Sequence, residues 1–237
     1  MALLETGEAE IGAGALEAAL QCLRRAVADA MALGDGALTA QGFAKLGSAL
    51  VHAARGSDEE GATALHRALI CEGAEPATLA QTLCELAYVE FLHGRYDRVE
   101  VWLAQADVVT TDPAQRAIGL SVRGSTLSDQ GRYSSALHAL DEALGLADAV
   151  VFAAGAGPGS GMARKETVDR GAAVLFADAA ERAGVRRYLM ISAMARTGSR
   201  HRARIRCSPP TCEPRVQPMP TSPRAMVWTG RFCGRGG

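Results

Sequence analysis

Apolar residues recur every three or four positions through most of the first 147 residues, the period of helices that bury one face. In residues 15–33 the stripe is Leu16, Ala19, Leu20, Leu23, Val27 and Met31, and Gly34-Asp35-Gly36 closes it with residues that tolerate a left-handed backbone. Residues 37–54 place Phe43, Leu46, Leu50 and Val51 on one side. Gly56-Ser57-Asp58 then breaks the chain and offers Ser57 or Asp58 as the cap of a third helix over 59–70. Pro76 suits the first turn of the next helix, which runs to Leu92 with Leu79, Leu83, Leu86, Ala87 and Phe91 inward. Residues 93–95 turn into its partner at 96–108. Asp112 and Pro113 open a helix that reaches Asp129, and Gln130-Gly131 turn into the last one, 133–146.

The last two helix pairs obey one ruler. Gly131, Tyr133, Ala136 and Ala143 repeat the spacing of Gly94, Tyr96, Val99 and Ala106, thirty-seven residues earlier. A pattern recurring at such a distance marks a helical repeat. Gly47, Ala87 and Gly124 lie inside the first helices, and Gly61, Val99 and Ala136 near the starts of the second, where small side chains let paired helices approach. Residues 10–147 resemble the tetratricopeptide repeat (TPR), in the slightly longer form found in MalT/LuxR-type regulators. The match is specific in the last two repeats and departs from the pattern where Val99 and Gly61 stand for alanine. The resemblance implies a right-handed helical-hairpin solenoid that holds a protein partner in its groove. Residues 15–33 look like the second helix of a hairpin whose first helix is absent, which predicts a bare apolar face there. The tyrosines of Gly-Arg-Tyr, Tyr96 and Tyr133, are expected to pack back over their turns.

From Asp148 the period changes. An apolar run over 148–154 ends in the glycine-rich loop 155–161, the pattern of a buried parallel strand and the loop at its carboxyl end. Residues 163–183 follow as an amphipathic helix with Val168, Ala172, Leu175, Ala179 and Ala180 inward, Gly184 closes it, and 187–193 read as a second strand. In such a βαβ unit ligands bind outside the carboxyl ends of the strands. The segments Asp148-Ala-Val-Val-Phe-Ala-Ala-Gly-Ala-Gly157 and Ala183-Gly-Val-Arg-Arg-Tyr-Leu-Met-Ile-Ser192 resemble the atypical short-chain dehydrogenases, the NmrA-like NAD(P)-binding proteins. That resemblance implies that Ala154, Gly155 and Ala156 lie along the cofactor's ribose and that Ser192 holds the serine position after the second strand. The family grips pyrophosphate with a glycine-rich turn between a strand and a helix, and no such turn precedes residue 148. The expectation is therefore a partial NAD(P)-binding Rossmann fragment over 148–195 with a vestigial site. Lys165 makes no phosphate loop of the glycines before it, because it follows no glycine and precedes Glu166 rather than Ser or Thr.

Composition alters the picture mainly at the end of the chain. Residues 196–237 hold nine Arg, six Pro, no Lys and one acid, against a net charge of −1 for all 237 residues. Apolar periodicity stops there, so a disordered Arg/Pro-rich tail is the direct reading. With few aromatics and no groove-reading motif, nucleic acid is not an expected partner. Back-translated with GC-rich codons and shifted in frame, residues 203–237 can encode a continuation of the same dehydrogenase family, including a Tyr-x-x-x-Lys, which reads the tail as a frameshift product. Cys22, Cys71 and Cys84 lie in helical patterns, and Cys207 and Cys212 lack metal-ligand spacing, so no metal is expected. His52, His66, His93 and His138 stand one to a helix or turn and read as surface or packing residues; Asp58-Glu59-Glu60 suits a helix's positive end. The first residues lack the basic start of a signal peptide and no long apolar run spans a membrane, so a cytoplasmic location is the default.

These patterns predict a mainly α chain in three parts: TPR-like repeats over 1–147, the Rossmann fragment over 148–195 and the tail over 196–237. The expected function is protein–protein interaction, without catalytic residues and without need of a cofactor. The alternative is an NAD(P)-dependent oxidoreductase or nucleotide sensor of the NmrA-like type.

Overall fold

Each apolar stripe becomes a helix. The computed structural model describes residues 2–54, 56–155, 161–190 and 225–228, and the chain is mainly α. It divides into two compact units, Met1–Ala147 and Asp148–Gly237.

The first unit contains α1 (Ala2–Gly12), α2 (Leu16–Ala32), α3 (Gly36–His52), α4 (Asp58–Leu69), α5 (Pro76–Leu92), α6 (Tyr96–Val109), α7 (Pro113–Asp129) and α8 (Tyr133–Gly145). They pack as consecutive hairpins, α1 on α2, α3 on α4, α5 on α6 and α7 on α8. The second helix of each of the first three hairpins also packs on the first helix of the next, and α5 touches both α3 and α7. The cap expected at Asp112 forms, accepting from the Gln115 amide at 3.3 Å. Ser57 holds the cap position of α4 without a capping bond, and Asp35, read only as part of a closing turn, caps α3 by accepting from the Leu38 amide at 2.9 Å. Gly94 and Gly131 hold φ of 70° and 75°, a region that disfavours side chains, and let the chain reverse between paired helices.

The absent first helix is in fact present. Ala2–Gly12 covers α2, burying Leu4, and a Cβ on Gly7 would lie 2.9 Å from Leu23 Cγ. Its stripe is faint in the sequence because α1 is short, and Glu5, Glu8 and Glu10 crowd between Leu3, Leu4 and Ile11. Gly7 against Leu23, Gly47 against Leu65 and Gly124 against Leu140 are one contact made in three hairpins. In the remaining one, α5 on α6, Ala87, Val99 and Leu103 are all buried in the same cluster.

Tyr96 and Tyr133 part company. The Tyr96 ring lies 6.4 Å from Phe91, and its hydroxyl donates to Asp129 at 3.3 Å, so it leans on the next hairpin. Tyr133 is exposed, contrary to expectation, because within this unit no hairpin follows α8.

The second unit has β1 (Ala149–Phe152), α9 (Met162–Lys165), a π-helical segment (Glu166–Ala172), α10 (Ala173–Arg182), β2 (Arg187–Met190) and β3 (Ala225–Trp228). The sheet order is β2-β1-β3 and both pairings are parallel, with Phe152 opposite Met190 and Trp228. β1 is central, which accounts for its unbroken apolar sequence. The Phe176 ring lies tilted between Phe152 (6.1 Å) and Tyr188 (5.9 Å), tying the helical segment to the sheet. Within residues 196–237, expected to be a disordered tail, Ala225-Met-Val-Trp228 is a short apolar, β-prone run that forms β3 and pairs with β1. The rest of that tail lies outside the described residues.

Candidate functional site

Parallel strands that end together make one edge, and in the second unit β1 and β2 end side by side at Phe152 and Met190. The chain leaves β1 as Ala153-Ala154-Gly155, three residues without bulky side chains. Ala154 is half-buried and Gly155 exposed. A Cβ on Gly155 would sit 3.7 Å from Asp169 Oδ1, so the π-helical segment carries a carboxylate to the strand-end loop. π-helical turns inside α-helices recur at functional sites because they displace side chains from the regular register. Of the four residues that resemblance assigns to the cofactor, Ala154 and Gly155 occupy this edge, while Ala156 and Ser192 lie outside the described residues. Asp169 was missed because, inside an amphipathic helix, its spacing looks like that of any solvated face.

Behind the edge the packing is aromatic. The Tyr188 hydroxyl donates to the Ala173 carbonyl at 3.0 Å, and burial pushes its pKa up, so it serves as a neutral strut.

The first unit holds a polar strip across α1, α3 and α5. Lys45 pairs with Glu8, the Ser48 hydroxyl donates to Glu85 Oε1 at 2.9 Å, and His52 Nε2 meets Glu85 Oε2 at 2.7 Å. His52 also stacks on Tyr88, with ring centroids 4.9 Å apart. The carboxylate lies between the hydroxyl and the imidazole, so His52 does not meet Ser48, and the serine–histidine–carboxylate order of a nucleophilic triad is absent. Sequence could not reveal this pair, since His52 and Glu85 belong to different hairpins.

The hydrogen bond that His52 Nε2 makes to the Glu85 carboxylate holds the His52 pKa above its ordinary value of 6.5, against burial that pushes it down. A group whose folded pKa is raised contributes stability that is complete below its unfolded pKa and fades as pH climbs through the folded value. The stability gap between the wild type and Glu85→Gln is therefore expected to be widest between about pH 5 and 6.5, near the unperturbed histidine value, and to narrow above it. Urea titrations at a series of pH values measure that gap; a gap that widened with pH would contradict the assignment.

Among the described residues no three His, Cys, Asp or Glu side chains gather to hold a metal ion, and no helix is long and apolar enough to cross a membrane. Burial pushes the Cys84 thiol up to about 12, which makes it a packing residue rather than a nucleophile.

A protein-family model described as NAD(P)H-binding matches residues 125–208. The match takes in β1, the helical segment and β2, along with Ala154, Gly155, Ala156 and Ser192. It begins inside α7 and runs through α8, upstream of the boundary between the two units. It covers about a third of the chain. No curated protein matches the sequence.

Proposed function

We propose that the chain binds a nicotinamide dinucleotide at the carboxyl edge of β1 and β2 and acts as a nucleotide-responsive binding protein. The observation that carries this reading is the NAD(P)H-binding match over 125–208, which falls on the residues that form that edge. The local chemistry supports it. A backbone stripped to Ala153-Ala154-Gly155 lets a flat ring or a ribose approach closely, and Asp169 beside Gly155 offers a carboxylate that accepts hydrogen bonds from sugar hydroxyls. No glycine-rich phosphate turn precedes β1 in the sequence, so the expected affinity is micromolar rather than tighter. The reading assigns binding and no hydride transfer.

A second reading concerns the first unit, a TPR-like scaffold that holds a protein partner. It is favoured by the four stacked hairpins with their recurrent small-residue contacts.

Titrating NADPH and NADH into the full chain and following reduced-nicotinamide fluorescence tests the first reading. Saturation in the micromolar range supports it; no change up to millimolar nucleotide rejects it. Gly155→Ala sharpens the experiment. Gly155 has no positive φ, and the nearest atom to an added methyl would be at an ordinary contact distance, so the fold itself tolerates alanine. A bound ribose in that space would be crowded, and affinity is expected to fall about tenfold, roughly 1.4 kcal/mol, with unfolding unchanged.

A further inference from the structure

The most exposed apolar side chains of the first unit form a series. Leu33 is 78 % exposed, Ile70 81 % and Val108 87 %, and each stands at or beside the carboxyl end of a second helix, α2, α4 and α6. They are spaced 37 and 38 residues apart, the period of the hairpins.

The folded chain brings them to one edge. A Cβ on Gly36, the first residue of α3, would run into the carbonyl oxygen of Glu72, in the connection after Ile70. Leu69 and Val108 line the same open cleft of about 470 Å³, together with Leu79, Leu83, Ala104 and Val109. The edge thus runs from α2 through α4 to α6, with an apolar cleft lined by α4, α5 and α6. Isolated exposed leucines need no explanation, but a periodic row opening into an apolar cleft does.

Charge says what fits there. The connections at this edge, residues 33–35, 70–75 and 110–112, carry Asp35, Glu72, Glu75 and Asp112 and no Lys or Arg. Asp35 and Asp112 are engaged as helix caps, whereas Glu72 and Glu75 make no ion pair among the described residues. The carboxyl ends of α2, α4 and α6 and the amino ends of α3, α5 and α7 meet at this edge, so the helix dipoles offset one another and Glu72 and Glu75 set its charge. Arg67, near the end of α4, lies with its guanidinium over the Phe43 ring, and Arg116, in the first turn of α7, pairs with Glu142.

We infer that this edge docks a basic amphipathic helix of a partner protein, its apolar stripe on Leu33, Ile70 and Val108 and its lysines or arginines toward Glu72 and Glu75. A stripe at i, i+3, i+4 and i+7 presents anchors along one line, as the edge requires, and flanking cations set orientation against the acidic connections. The inference rests on the scaffold reading of the first unit and is independent of nucleotide binding.

The test uses the full chain and two fluorescent synthetic peptides of about 16 residues, four helical turns, with the same leucine stripe flanked by lysine in one and by glutamate in the other. Anisotropy should report binding of the lysine peptide, weakened at least about tenfold by Val108→Asp or Ile70→Asp, with a smaller loss from the double change Glu72→Lys, Glu75→Lys. Leu137→Asp, on exposed α8, is the control and should leave binding intact. All these sites are exposed, so circular dichroism should show an unchanged fold. Equal binding of both peptides, no binding of either, or insensitivity to Val108→Asp and Ile70→Asp would overturn the proposal. So would sedimentation showing a dimer that Ile70→Asp dissolves, since the occupant would then be a second copy. Failure here with intact NADPH binding would leave the nucleotide reading standing, and the converse holds as well.

Discussion

Gly47→Ala is expected to lower the stability of the first unit by about 2 kcal/mol, within the usual range for overpacking, while Gly119→Ala raises it. Helix propensity alone favours alanine at both positions by roughly 0.5–1 kcal/mol. What separates them is the space around the added methyl. At Gly47 it would lie 2.6 Å from Leu65 Cγ and 3.0 Å from the Gly61 carbonyl oxygen, and Leu65 is fully buried. Neither neighbour can yield without moving α4 off α3. At Gly119 the nearest atoms are Leu103 Cδ2 at 3.5 Å and Cys84 Sγ at 3.7 Å, ordinary contacts, so the propensity gain survives. Gly124→Ala should fall between them. Its closest neighbour, Leu140, is only partly buried and can swing away. Urea unfolding followed by circular dichroism ranks the three variants. Equal effects at Gly47 and Gly119 would mean that the hairpins are not held at the separation described.

The same geometry explains what could be read from the sequence. A glycine inside an amphipathic helix, facing the partner of its hairpin, has a mechanical meaning, and Gly47, Gly61 and Gly124 mark close helix pairs in the sequence itself. The hairpins with long stripes, such as Leu79-Leu83-Leu86 in α5, were legible for the same reason. α1 was not, because its few apolar residues are diluted by glutamates and its stability comes from lying on α2 rather than from its own period. Pairings between hairpins were also hidden: Arg24 reaches Glu60, Arg123 reaches Glu100 and Asp107, and His52 reaches Glu85 across spans that no local pattern encodes. At the candidate nucleotide edge the small residues were found by resemblance and by the strand's apolar run. Asp169 depends on a π-helical register that periodicity at 3.6 residues per turn cannot represent.

Phe152→Ala should unfold the second unit and abolish nucleotide binding while leaving the first unit folded. Phe152 is buried and packs on Phe176, which in turn packs on Tyr188, so this chain of rings links the central strand, the helical segment and β2. Truncating a buried phenylalanine costs about 3–5 kcal/mol. The unit has little in reserve: its strands are four residues long, and Val174, Leu175, Leu189 and Met190 are exposed rather than contributing to its core. Its loss should appear as a partial drop in helical ellipticity, with the transition of α1 to α8 unchanged. Nucleotide linkage supplies the matching gain in the unmutated chain. A ligand that binds only the folded state at a hundred times its dissociation constant adds about 2.7 kcal/mol, so saturating NADPH should raise the transition of the second unit and no other. If NADPH instead raised the transition of the first unit, or bound Phe152→Ala as tightly as wild type, the carboxyl edge of β1 and β2 would not be where the nucleotide sits.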